Sequence, residues 1–188
     1  MTELSHIPAD LPVPVDDGAC DHLPGLALPD ICLPCTNGDD VCMSTLNDLT
    51  AIFIYPMTGH PDKALPDSWN HIAGARGCTP QACGFRDNYP ELAALNVHVL
   101  GLSTQSTSDQ QEASNRLQLP YPLLSDKRLS FSNALRLPTF QLGRQTFIKR
   151  ITLICNHGYI EQVFYPVFPP DKNAQSVIQY LQGHKTHG

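Results

Sequence analysis

The stretch Gly77-Cys78-Thr79-Pro80-Gln81-Ala82-Cys83-Gly84-Phe85-Arg86-Asp87 holds two cysteines five residues apart. A thiol reacts as its thiolate, and a free cysteine, with a pKa near ~8.5, is mostly protonated at neutral pH. The positive end of a helix and nearby arginines favour the ionised form. Thr79 suits a helix N-cap and Pro80 a first helical position, and Arg76 and Arg86 flank the pair. Cys78 therefore has the surroundings of a nucleophile, with Cys83 as a second thiol. Five residues of ideal helix separate two Cα atoms by ~8–9 Å, whereas a disulfide wants ~7 Å or less. The pair bridges only if the helix start unwinds. That order suits oxidation of Cys78 to a sulfenic acid, local unwinding, and capture by Cys83. The plainer alternative is two small buried hydrophobes.

The other cysteines carry weaker signals. Cys32-Leu33-Pro34-Cys35 is a CxxC that, with Cys42, Cys20 or His22, suggests zinc or a redox dithiol. The redox form belongs at a helix start after a strand, while this one lies on a hairpin arm, so a metal site is not expected. Cys35 and Cys42 are candidates to face each other there as an oxidised pair. Cys155, ending an apolar run, reads as packing. His71 and His98 read as structural, and His184 and His187 as part of a solvated tail. The glycines are scattered singly, so no phosphate-binding loop is present.

The chain of 188 residues suits one core. An apolar fraction of 41% with 16% charged residues describes a globular protein. A formal charge of −6 argues against a nucleic-acid or anionic-membrane surface, which needs a basic patch. No apolar run approaches the ~18 residues that span a bilayer, and residues 1–15 show no secretory signal. Cytoplasm is the expected location.

The elements that must hold the two thiols read as follows. Residues 1–30 look like an arm or loop, punctuated at Asp16-Asp17-Gly18 and Pro24-Gly25. Asn37-Gly38 predicts a hairpin between 31–33 and 41–43. Thr50-Ala51-Ile52-Phe53-Ile54-Tyr55 predicts a strand covered on both faces. Residues 57–75 are irregular. The helix after Cys78 should split at Pro90, and a second core strand spans 97–103. Ser108 and Gln111 match a capping box for a helix to Leu117. A short helix over 126–135, hairpins over 137–148 and 150–163, and a last helix capped by Asp171 complete the chain. Strands alternating with helices describe a central mixed sheet flanked by helices on both faces.

Phe53-Ile54-Tyr55-Pro56, the segment from Arg76 to Asp87, Val99-Leu100-Gly101-Leu102-Ser103, Pro120-Tyr121-Pro122-Leu123-Leu124-Ser125-Asp126 and Arg150-Ile151-Thr152-Leu153-Ile154 together resemble a peroxiredoxin. The Cys-x4-Cys pair is most similar to the peroxiredoxin Q (bacterioferritin comigratory protein) group, and the likeness covers residues 24–165. It implies an α/β, thioredoxin-like fold, with an arm over 1–23, the domain over 24–182 and a polar tail over 183–188. It implies reduction of hydroperoxides, with Cys78 peroxidatic, Cys83 resolving, and Arg150 holding thiolate and peroxide. The expected partners are a hydroperoxide substrate and a thioredoxin or glutaredoxin-type reductant, with no nucleic acid or membrane; no cofactor is expected. The rival is a cysteine-rich metal-binding or redox-sensing module without turnover.

The chain departs from the family pattern in two places. Pro56 and Cys78 lie 22 residues apart instead of within eight, and Ala75 stands where the family hydroxyl would be. Thr58 is the candidate to loop back and replace it. The 137–148 hairpin ahead of Arg150 is also extra.

Overall fold

The computed structural model describes residue 7 and residues 11–185, the side chain of Lys185 excepted. Its centre is a five-stranded sheet in the order β5-β4-β3-β8-β9. Strand β3 (Thr50–Ile54) pairs in parallel with β4 (His98–Ser103), and β4 in parallel with β5 (Leu123–Ser125). On the other side β3 runs antiparallel to β8 (Ile151–Asn156), which pairs with β9 (Tyr159–Phe164). Every residue of β3 is buried, as expected of a continuous apolar run in mid-sheet.

Alternation along the strands divides the interior in two. Ile52, Ile54, Leu100 and Leu102 face one core, which also takes in Cys20, Leu23, Leu33, Met43 and Phe131. Ala51, Phe53, Tyr55 and Val99 face the other, against Cys78, Phe85, Leu92 and Val177. This second face carries α1 (Cys78–Asp87), α2 (Tyr89–Ala94) and α5 (Asn173–Lys185). Helix α3 (Thr107–Leu117) packs against β5. The first face is covered by α4 (Ser130–Ala134) and by the hairpin of β1 (Cys32–Pro34) and β2 (Asp40–Cys42). The expected mixed sheet with helices on both faces is what forms.

Several local readings shift. Helix α1 starts at Cys78, with Gly77 as its cap at φ 97° and no side-chain cap; Thr79 and Pro80 fall inside the first turn. Pro80 costs little there, because N–H groups of a first turn have no helical partner. Pro90 does split the helix, opening α2. The cap of α3 is Ser106, two residues earlier than Ser108: it accepts from the Asp109 N–H at 3.2 Å and donates to Asp109 Oδ2 at 2.5 Å. Asp171 lies in a 3-10 turn (Pro170–Lys172) ahead of α5 and does not cap it. Helix α5 extends to Lys185, so His184 sits in its last turn against the Tyr180 carbonyl; His187 lies outside the described residues. The last two hairpins form as read, β6 (Thr139–Leu142) with β7 (Gln145–Ile148), and β8 with β9.

Cys42 bonds to Cys32, not to Cys35. The hairpin register sets the pairing: it puts Cys32 opposite Cys42, while Cys35 lies past the end of β1, buried and bridged to Leu124.

Candidate active site

Cys78 is fixed by the contacts of α1 on both sides. Phe85, two turns on, stacks on Phe53 of β3 with ring centroids 4.5 Å apart. On its outer side α1 presses on the 170–172 turn. A Cβ at Gly84 would lie 2.9 Å from the Asp171 carbonyl oxygen, and one at Gly77 only 2.4 Å from the Pro170 ring. Glycine is required twice, at Gly77 also for its positive φ.

Arg150 immediately precedes β8. The antiparallel register sets Ile151 opposite Ile54, so Arg150 stands beside the point where the chain leaves β3 for the Cys78 region. Both residues are 3% exposed. Arg150 Nη2 lies 3.2 Å from Cys78 Sγ and also donates to the carbonyls of Gly74, Ala75 and Arg76. Cys78 Sγ in turn lies 3.5 Å from the Ala75 carbonyl. Arg150 Nη1 donates to Gln81 Oε1. Gln81 then donates to Asn173 Oδ1 at 2.9 Å, which also accepts from Thr152 at 2.7 Å. The guanidinium is held in one plane by α1, the loop before it and the start of α5. A cavity of about 230 Å³ reaches Arg150 past Pro14, Val15, Ile72 and Tyr165.

Cys83 lies five residues further along the same helix, half-buried and unbonded. Burial pushes its thiol pKa up, and Arg86 works against that. Burial likewise pushes the thiols of Cys20 and Cys155 up to about 12, so neither is a thiolate at neutral pH. His22 is occupied by the Leu135 carbonyl at 2.9 Å. No three side chains of His, Cys, Asp or Glu converge on one point among the described residues.

Thr58 does not replace the missing hydroxyl. Its N–H and Oγ1 both donate to Gln105 Oε1, at 2.8 and 3.1 Å. Ala75 reaches Cys78 through its carbonyl instead. Sequence reasoning missed three groups here. Gln81 and Asn173 are 92 residues apart and carry no motif. Tyr55 belongs to the Phe53-Ile54-Tyr55-Pro56 signature and shares the Cys78 core, fully buried, with its hydroxyl directed at the Ser103 and Gln110 side chains. Burial opposes its ionisation, and the hydrogen bond with Ser103 works against that.

The profile of the AhpC/TSA family matches residues 69–162. Peroxiredoxin bcp1 of Schizosaccharomyces pombe is 38% identical over 109 residues, 55% of this chain and 47% of that protein. The chloroplastic peroxiredoxin Q of Arabidopsis thaliana is 25% identical over 163 residues, 84% of this chain and 66% of that protein. The chain thus spans about half the length of several of the curated relatives it matches. In fold it is similar to peroxidoxin BcpB of Mycobacterium tuberculosis, with a TM-score of 0.70 at 24% identity over 86% of this chain and 98% of that one. PrxQ of Xylella fastidiosa gives 0.71 at 19% identity, over 87% and 98%. The sheet with its flanking helices is thioredoxin-like, and the chain belongs to the AhpC/TSA family.

Proposed function

We propose that this protein is a thiol peroxidase. The observation that carries the reading is the guanidinium of Arg150 3.2 Å from Cys78 Sγ, at the first residue of a helix that bears Cys83 five residues on. Cys78 thiolate attacks the distal oxygen of a hydroperoxide. An S–O bond forms, the O–O bond breaks, and the departing oxygen takes a proton and leaves as water or an alcohol. Arg150 and the N–H groups that open α1 stabilise the charge growing on that oxygen. Cys83 then attacks the sulfenic sulfur, giving a Cys78–Cys83 disulfide and water. An external dithiol of the thioredoxin or glutaredoxin type reduces that disulfide, itself becoming oxidised. No metal, flavin or haem takes part in these steps.

The substrates are hydrogen peroxide and organic hydroperoxides. We place the reaction in the cytoplasm, where such dithiols are kept reduced. No helix among the described residues is long and apolar enough to cross a membrane.

The rival, a metal-binding or redox-sensing module without turnover, drew on Cys20, Cys32, Cys35 and Cys42. Two of these are bonded to each other and Cys20 is buried, which disfavours the metal-binding form, and turnover with thioredoxin separates the redox-sensing form from a peroxidase. The test is peroxide consumption with thioredoxin as electron donor. The wild type should turn over, Cys83→Ser should consume about one equivalent and stop, and Cys78→Ser should consume none. A Cys78→Ser protein that turns over like the wild type overturns the reading.

A further inference from the structure

The two stretches that depart from the peroxiredoxin pattern meet in space. Trp69, from the long segment after Pro56, packs edge-on against Phe147 at 5.1 Å and tilted against Phe140 at 6.0 Å. Both phenylalanines belong to the β6–β7 hairpin and stack on each other at 5.4 Å. With Met57, Leu65 and Ala75 they form a third apolar cluster, apart from the two that line the sheet. Aromatic pairs of this kind add to the gain from burial and tie the two segments together.

Between these segments and the first turns of α3 lies a cavity of about 620 Å³, in the range of small-molecule sites. Cys78, Cys83 and Arg150 do not line it. Its apolar surface comes from Met57, Leu65, Leu129 and Phe147. Its acids are already neutralised. Asp109 is held by Ser106 and by Lys63 at 3.4 Å, and Glu112 takes two bonds from Arg116. His60 has a long contact to Asp62 at 3.9 Å. Lys127 and Arg144 also line the cavity, and neither is in an ion pair among the described residues. The charge left over is positive.

We propose that this cavity binds a small organic carboxylate with an aliphatic body. The body lies on Met57, Leu65 and Phe147, and the carboxylate meets Arg144, whose planar fork matches two oxygens at once, and Lys127. The site is separate from the thiol chemistry and does not depend on the peroxidase reading.

Trp69 supplies the readout. It is the one tryptophan of the chain, buried and in contact with a wall of the cavity. Decanoate is titrated into the whole protein at fixed ionic strength, followed by Trp69 emission and by calorimetry. A saturable one-to-one isotherm is expected. Affinity should fall at least tenfold in the Lys127→Ala/Arg144→Ala double variant, and equally when decanol replaces decanoate. Both substituted side chains are exposed, so the variant should keep the wild-type circular dichroism. Absence of a saturable isotherm overturns the proposal. So does a double variant that binds decanoate as tightly as the wild type, or decanol binding as tightly as decanoate.

Discussion

A single terminal nitrogen of Arg150 serves Cys78 Sγ and three backbone carbonyls. The other terminal nitrogen meets Gln81. Removing the guanidinium takes away the cation that faces the Cys78 sulfur and the donor that those carbonyls and Gln81 share. Arg150→Ala should therefore slow oxidation of Cys78 by about 10²–10³-fold, the scale of an oxyanion-hole donor. Arg150→Lys should recover only part, because one ammonium cannot span Cys78 and Gln81 together. Stopped-flow oxidation by hydrogen peroxide measures both, with near-UV circular dichroism as the check on fold; an unchanged rate in Arg150→Ala contradicts the role. Cys78, Cys83 and Arg150 were legible in the sequence because each is a reactive or charged type in a recognisable setting. The residues that orient them were not. Gln81, Asn173 and Thr152 are ordinary polar residues, and only folding brings positions 81, 152 and 173 into one hydrogen-bonded chain.

At the scale of elements, the site depends on how closely α1 approaches the 170–172 turn. Gly84 lies inside a helix, where alanine alone would be favoured by about 1 kcal/mol. Its missing Cβ would sit 2.9 Å from a backbone oxygen, and overpacking of that kind costs about 1–3 kcal/mol. The clash exceeds the propensity gain, so Gly84→Ala should lower stability in urea denaturation of the reduced protein. A rise in stability would show that the turn yields freely. The same contact explains why the start of α1 was misread. Thr79-Pro80 has the composition of a cap and first turn, yet Gly77 takes that place, because only a residue without Cβ clears Pro170 at φ 97°. Helix α3 was displaced for a related reason. Ser106 and Ser108 are both able caps, and the reciprocal bonds between Ser106 and Asp109 decide between them.

For the molecule as a whole, the sheet separates the proposed chemistry from the second sulfur pair. Cys78 and α1 pack on one face, while the hairpin joined by Cys32–Cys42 sends Leu33 and Met43 into the core on the other. Closing a loop with a sequence separation of 10 contributes about 2–3 kcal/mol through the unfolded chain. Cys32→Ala/Cys42→Ala should lose stability on that scale in denaturant while keeping its rate of peroxide consumption. A matched loss of rate would tie the hairpin to the chemistry. Alternation and run length made the strands and their two-sided burial legible. The docking of the early segment was not. Its turn signals read as an arm, yet Cys20 and Leu23 are buried, and the N–H groups of Gly25 and Leu28 donate to the carbonyls of Ile160 and Gly158. Those partners lie more than 100 residues away, which local pattern cannot reach.

Cys78 and Cys83 share one helix, where five residues of helical rise exceed the span of a disulfide, yet each should become the other's partner on oxidation. The direct measurement is disulfide mapping by mass spectrometry after reaction of the protein with one equivalent of hydrogen peroxide. A new Cys78–Cys83 bond is expected, with Cys32–Cys42 retained and Cys20, Cys35 and Cys155 still free thiols. Loss of peroxide with Cys83 still open to alkylation, or with Cys78 joined to any other cysteine, would contradict it.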